Sequence, residues 1–225
     1  MIDSPFPFPD PARPVPGGSE AHRLVASGSG LAFAVQFEQR DGVAGFQTAV
    51  FGLESAERRR PSSSEPQPVV ISAVDITFGQ GWELRTSGLW AEQVRERAFD
   101  HWSYGLEAFA LAIDEPDELI RRGLGHRVPL GWELDFIADT PPEPVPDHDP
   151  GTFTQTGTIE GLLLTGDGEQ PIDGRARRSL WTGDRPAHTD VDGLDHRLRS
   201  RPGSVVLPTM QGPWTVGRSG SVGLP

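Results

Sequence analysis

Asp100, His101, Tyr104 and Glu107 lie within eight residues of one another and offer two carboxylates, an imidazole and the only tyrosine of the chain. Addition of water to an alkene, cyclisation and isomerisation of apolar substrates all need a proton donor in a dry pocket. A carboxylate buried beside tryptophan has its pKa raised and can serve as that acid. The four residues belong to a stretch from Arg97 to Asp114 that reads R-A-F-D-H-W-S-Y-G-L-E-A-F-A-L-A-I-D. From Leu106 onward it alternates, with Glu107, Phe109, Leu111 and Ile113 opposed to Leu106, Ala108, Ala110 and Ala112. Such alternation specifies a β-strand. Before Gly105 the large residues, Trp102 and Tyr104, fall on the other parity. A bulge at Gly105 would join both bulky sets on one face, placing Tyr104 and Glu107 beside one cavity or core. Spacing limits direct contact: along a straight strand His101 and Glu107 stand about 20 Å apart, and Asp100 and Tyr104 roughly 13 Å. The competing reading makes Tyr104 core and leaves Asp100 and His101 to cap the strand end.

Trp82, Trp90, Trp102, Trp132 and Trp181 each fall in an expected strand. With Phe109 they form a set that either lines a cavity for a flat apolar ligand or fills the interior completely. Small neighbours (Ala108, Ala110, Ala112, Gly131) favour a pocket.

The elements that must hold these residues are strands. A chain of 225 residues with 27 glycines and 22 prolines suits many short strands and tight turns. Leu31–Glu38 alternates, Asp41-Gly42 supplies a two-residue turn, and Val43–Phe51 returns, a strong hairpin signal. Further strands are expected at Val69–Phe78, Trp82–Trp90, Val128–Ala138, Thr152–Thr165 and Ile172–Trp181, with Ala91–Arg97 the polar start of the central one. Residues 54–67 and 139–150 read as polar, proline-containing loops. Ser204–Pro208 and Pro213–Val216 could form short strands. The fold class is therefore all-β, with few or no helices and about eight to ten strands, the number that closes a barrel or sandwich. Residues 1–19 form a proline-rich arm that Phe6 and Phe8 either pin to a groove or leave loose. Residues 20–184 form the β domain, and 185–225 an irregular tail.

Composition removes several classes of function. A net charge of −12 disfavours nucleic acid and anionic membranes as partners. With no cysteine, thiolate catalysis and cysteine metal sites are gone; with all twenty cationic residues arginine, so is Schiff-base chemistry by lysine. Asp147-His148-Asp149 and the run from His188 to His196 carry oxygen-rich side chains but lack the spacing of a calcium loop, so no metal and no cofactor is expected. The opening residues, without a basic start or an apolar run, do not read as a signal peptide, and a cytoplasmic location is expected. Unpaired sheet edges would allow a homodimer, and with it a third reading in which the chain is a non-catalytic structural or partner subunit.

Within residues 82–185, the segments Gly88–Glu92, Phe99–Asp114, Arg127–Phe136, Gly157–Gly161 and Ile172–Gly183 resemble an actinobacterial branch of the hydroxyneurosporene synthase-like (carotenoid hydratase-like) group. The resemblance implies a lipocalin-like antiparallel β-barrel or strongly curved sheet and an apolar ligand, terpenoid or steroid-like. It implies either binding alone or hydratase, cyclase or isomerase chemistry. The group's Arg-Asp-His-Ser-Trp-Gly motif is replaced here by Arg178-Ser-Leu-Trp-Thr-Gly183, without the acid and the histidine. No catalytic assignment follows across that departure.

Overall fold

Alternation of inward and outward side chains runs through every long strand, and it closes the chain into a barrel. The computed structural model describes residues 6–15, 18–29, 31–40, 43–51, 69–75, 82–112, 126–183, 204–209 and 212–217. Among them are thirteen strands and no helix. In chain order these are β1 (Ser19–Gly28), β2 (Leu31–Arg40), β3 (Val43–Phe51), β4 (Val69–Asp75), β5 (Trp82–Thr86), β6 (Leu89–Arg97) and β7 (His101–Ala112). They continue with β8 (His126–Ala138), β9 (Glu143–Pro144), β10 (Phe153–Thr165), β11 (Gly168–Thr182), β12 (Ser204–Thr209) and β13 (Gly212–Gly217).

The first eleven share one antiparallel sheet in the order β4-β3-β2-β1-β11-β10-β8-β7-β6-β5, with β9 beside β10. Pairing of Val69 with Ala112 and Val70 with Leu111 joins β4 back to β7 and closes the ring. This nearly complete closure shortens the exposed edges that an open sheet of this length would present. The β5–β6 hairpin continues from the remaining edge of β7, and β12–β13 form a separate two-stranded sheet.

Inward positions follow strict parity. Trp102, Tyr104, Leu106, Ala110 and Ala112 of β7 are buried, as are Leu130, Trp132, Leu134 and Phe136 of β8. All of these but Ala112 meet Leu24, Phe33, Val35, Phe37, Phe46 and Ile159 in one continuous core.

Several expectations are corrected. β7 pairs with β8 without a break from His101 to Ala112, so no bulge exists at Gly105. Gly105 instead seats the Trp90 indole on the outer surface, where an added Cβ would come within 2.8 Å of its Cη2. Glu107 and Phe109 consequently face outward, and Phe109 is 60% exposed. The register shift lies elsewhere, between Arg95 and Arg97 opposite Trp102 and His101. Trp82–Trp90 is not one strand: the chain turns at Ser87-Gly88, where Gly88 takes φ +94°. Ala91–Arg97 belongs to β6, separated from β7 by the turn at residues 98–100. The loop at 139–150 holds the short β9, and β1 was not anticipated at all. The Asp41-Gly42 turn lies outside the described residues, although Arg40 and Val43 pair as its two-residue span requires.

The described part of the arm is pinned. Phe8 is buried and stacks on Phe153 with ring centroids 5.0 Å apart, and Phe6 meets Phe99 edge-on at 4.8 Å.

This register makes a paired prediction. Trp132→Ala, which empties a core position, should lower the unfolding free energy by about 3–5 kcal/mol in urea denaturation. Phe109→Ala, on the outer face, should cost about 1 kcal/mol or less.

Candidate functional site

Three neighbouring strands place Trp82, Gln93 and Tyr104 side by side on the inner wall. Trp82 pairs with Gln93 across β5–β6, and Gln93 with Tyr104 across β6–β7. Adjacent strands run about 4.8 Å apart, so these side chains form one row. His22 of β1 reaches that row from across the barrel. Its ring centroid lies 4.2 Å from that of Trp82 and 5.0 Å from that of Trp102.

Beside the row sits a completely buried ion pair. Arg178 Nη1 donates to Asp10 Oδ1 at 2.9 Å, and both side chains are 0% exposed. The other Asp10 oxygen accepts from the Phe99 amide at 2.6 Å and from Trp102 Nε1 at 3.2 Å. Arg95 donates to the Asp10 carbonyl. Arg178 Nη2 donates to Gln155 Oε1 at 3.4 Å, and its guanidinium lies 4.8 Å from the Trp102 ring and 5.1 Å from the Phe153 ring. Phe99 takes φ +58°, unusual for a bulky residue, and its amide bond to a carboxylate helps hold it there.

Electrostatics follow from burial. Desolvation, with the charge of Arg178 adding to it, holds the His22 imidazole well below its usual pKa of 6.5, so it is neutral. Burial also raises the Tyr104 phenol above its usual value, opposed by Arg178 and assisted by Asp10, so it stays protonated. Polar atoms buried without a partner are uncommon in proteins because each loses its water for nothing. Here both His22 ring nitrogens, Tyr104 Oη, Trp82 Nε1, Gln93 Nε2 and Arg178 Nε have no hydrogen-bond partner among the described residues. All five residues are at most 3% exposed.

The structure divides the residues singled out from sequence. Tyr104, Trp82 and Trp102 join the inner constellation, and Trp132 lies in the same core. Asp100 pairs with Arg97 at 2.8 Å and His101 with Asp135 at 2.7 Å, both partly exposed at the strand end. Trp181 is buried against Ala21 and Val145, with the Arg23 guanidinium 5.4 Å from its ring. Burial brings Arg23 itself down to about 9, with Glu38 opposing.

Trp90, Glu107 and Phe109 line an outer groove of about 600 Å³ with Leu89, Leu130 and Leu164, at the end of the barrel that carries the β5–β6 and β10–β11 turns. Trp90 Nε1 there donates to Glu83 Oε1 at 3.2 Å, and Glu107 is exposed on the outer face. Asp147 and His148 lie in the loop before β10, and among the described residues no group of three His, Asp or Glu is placed to hold a metal ion. The run His188–His196 lies outside the described residues. No helix among them is long and apolar enough to cross a membrane.

Reading the sequence missed His22, Gln93, Asp10 and Arg178. The usable signal was polar residues at inward parity, such as His22 between Glu20 and Leu24, or Arg178 between Ala176 and Leu180.

No protein-family model and no curated protein matches the chain. Among solved structures, kievitone hydratase from Nectria haematococca is similar at 12% identity with a TM-score of 0.39. The similarity covers 79% of this chain and 57% of that one, so the chain spans little more than half the hydratase's length.

Two stability measurements check the inner constellation. Asp10→Leu strands a buried cation and should cost about 3–5 kcal/mol, while Asp10→Leu/Arg178→Met should be more stable than that single variant. Because the folded-state pKa of His22 lies below the unfolded one, the unfolded chain binds the extra proton. Stability should therefore be full above about pH 6.5 and fall below it, by up to about 1.4 kcal/mol per pH unit. His22→Phe should remove one proton's worth of that slope between pH 5 and 6.5, read from urea midpoints.

Proposed function

We propose that this barrel binds a flat, apolar small molecule, terpenoid or steroid-like in class, against Trp82, Trp102 and His22. One observation carries the reading: a cluster of polar atoms without partners, set among aromatic rings on one inner wall. Substituting these residues by apolar ones would relieve desolvation, so a purely structural core has no use for them. A ligand that brings its own polar group makes them useful. The likeness of the middle segments to the hydroxyneurosporene synthase-like group supports the same ligand class.

A catalytic reading rests on a second observation. Tyr104 is held protonated and His22 neutral around the same region, the protonation states a general acid and a general base need, while the burial that fixes these states also weakens each as acid or base. If the bound molecule carries an alkene, Tyr104 is the better-placed donor for hydration, cyclisation or isomerisation; Glu107 lies on the outer face.

Tyr104→Phe separates function from structure. The variant should melt at a higher temperature than the wild type, by roughly 1 kcal/mol of added stability, because it deletes an unpartnered hydroxyl. It should also lose most of the thermal shift that terpenoid or steroid ligands give the wild type. A wild type that no such ligand stabilises would overturn the proposal.

A further inference from the structure

The unpartnered atoms are not a random mixture of donors and acceptors. The indole Nε1–H of Trp82, the amide Nε2 of Gln93 and the Nε–H of Arg178 can only donate. Tyr104 Oη can donate or accept, and neutral His22 offers one donor and one acceptor. Donors therefore outnumber acceptors on this wall. Charge narrows the choice further: the cation beside this wall, Arg178, already faces the fully buried carboxylate of Asp10. A carboxylate or phosphate entering here would be a further buried anion without a counter-charge, which is costly. An ammonium group would meet a wall of donors.

We infer that the inner site is built for the carbonyl oxygen of a neutral ketone or enone carried on a flat apolar skeleton. This rests on the ligand-binding reading and sharpens it. A carbonyl oxygen has two lone pairs and no proton, so it can accept from two of the Trp82, Gln93 and Tyr104 donors at once. Those three residues sit in one row on adjacent strands. The attached skeleton packs against Trp82, Trp102 and the His22 ring. Gln93 is then a specificity residue, the side chain that a hydrocarbon would leave unpaired.

Calorimetric titration of the full chain with matched probes tests it. One series has the β-ionone skeleton and one the androstane skeleton, each as ketone, alcohol, amine and parent hydrocarbon. In at least one series the ketone should bind about tenfold or more tightly than the hydrocarbon, with the alcohol between them and the amine not binding. Gln93→Leu should bring the ketone close to the hydrocarbon's affinity, erasing the preference between the two. Trp82→Phe, checked for folding by near-ultraviolet circular dichroism, should act in the same direction. Equal affinity for ketone and hydrocarbon, or binding of the amine, overturns the carbonyl inference and leaves apolar binding standing. If no probe of either series binds, both fall together.

Discussion

A carboxylate ten residues into the chain meets a guanidinium 168 residues later inside the barrel, with no exposure on either side. Two charges in a low-dielectric interior are tolerated only when nearly every hydrogen-bonding atom around them is used. Asp10 meets that demand through Arg178, Trp102 and the Phe99 amide, and the consequences spread outward. The proline-rich arm must lie across one end of the barrel to deliver Asp10. The β6–β7 turn must hold Phe99 in a left-handed conformation to present its amide. The Trp102 indole is fixed between this pair and His22, and the nearby positive charge helps keep that imidazole neutral.

Most of the barrel was legible because most strands bury one face. β2, β3, β8, β10 and β11 announce themselves by alternating apolar residues, and their observed limits lie within a few residues of those expected. β1 is silent for a physical reason: Glu20 and His22 point inward, Ala21 and Arg23 outward, and all four are buried. Neither face then shows the pattern that periodicity detects. The β5–β6 turn was overlooked because Ser87-Gly88 is a weaker signal than Asp-Gly between two tryptophan-bearing runs. At Gly105 the ambiguity was between a glycine that bends a strand and one that makes room for a neighbour. Only the position of Trp90 resolves it.

The candidate site was half legible for the same reason. Tyr104, Trp82 and Trp102 stand out in any reading, being large and of inward parity. Their polar companions come from β1, β6, β11 and the arm, elements distant in sequence that only the barrel's closure brings together. The acids that looked chemical, Asp100 and Glu107, are set apart from the interior by partial exposure and outward parity respectively. What remains inside is a donor-rich wall with balanced charge, a pattern that carries a stability cost and is therefore best explained by a bound partner.

The most direct measurement is the response of the indole N–H resonances, recorded by 1H–15N correlation and assigned through single Trp→Phe variants. On addition of a ketone ligand, the Trp82 resonance should move downfield as its unpaired N–H gains an acceptor, with the Trp90 and Trp181 resonances left in place. A Trp82 signal that stays still while Trp90 moves would place binding in the outer groove and contradict a receptive interior.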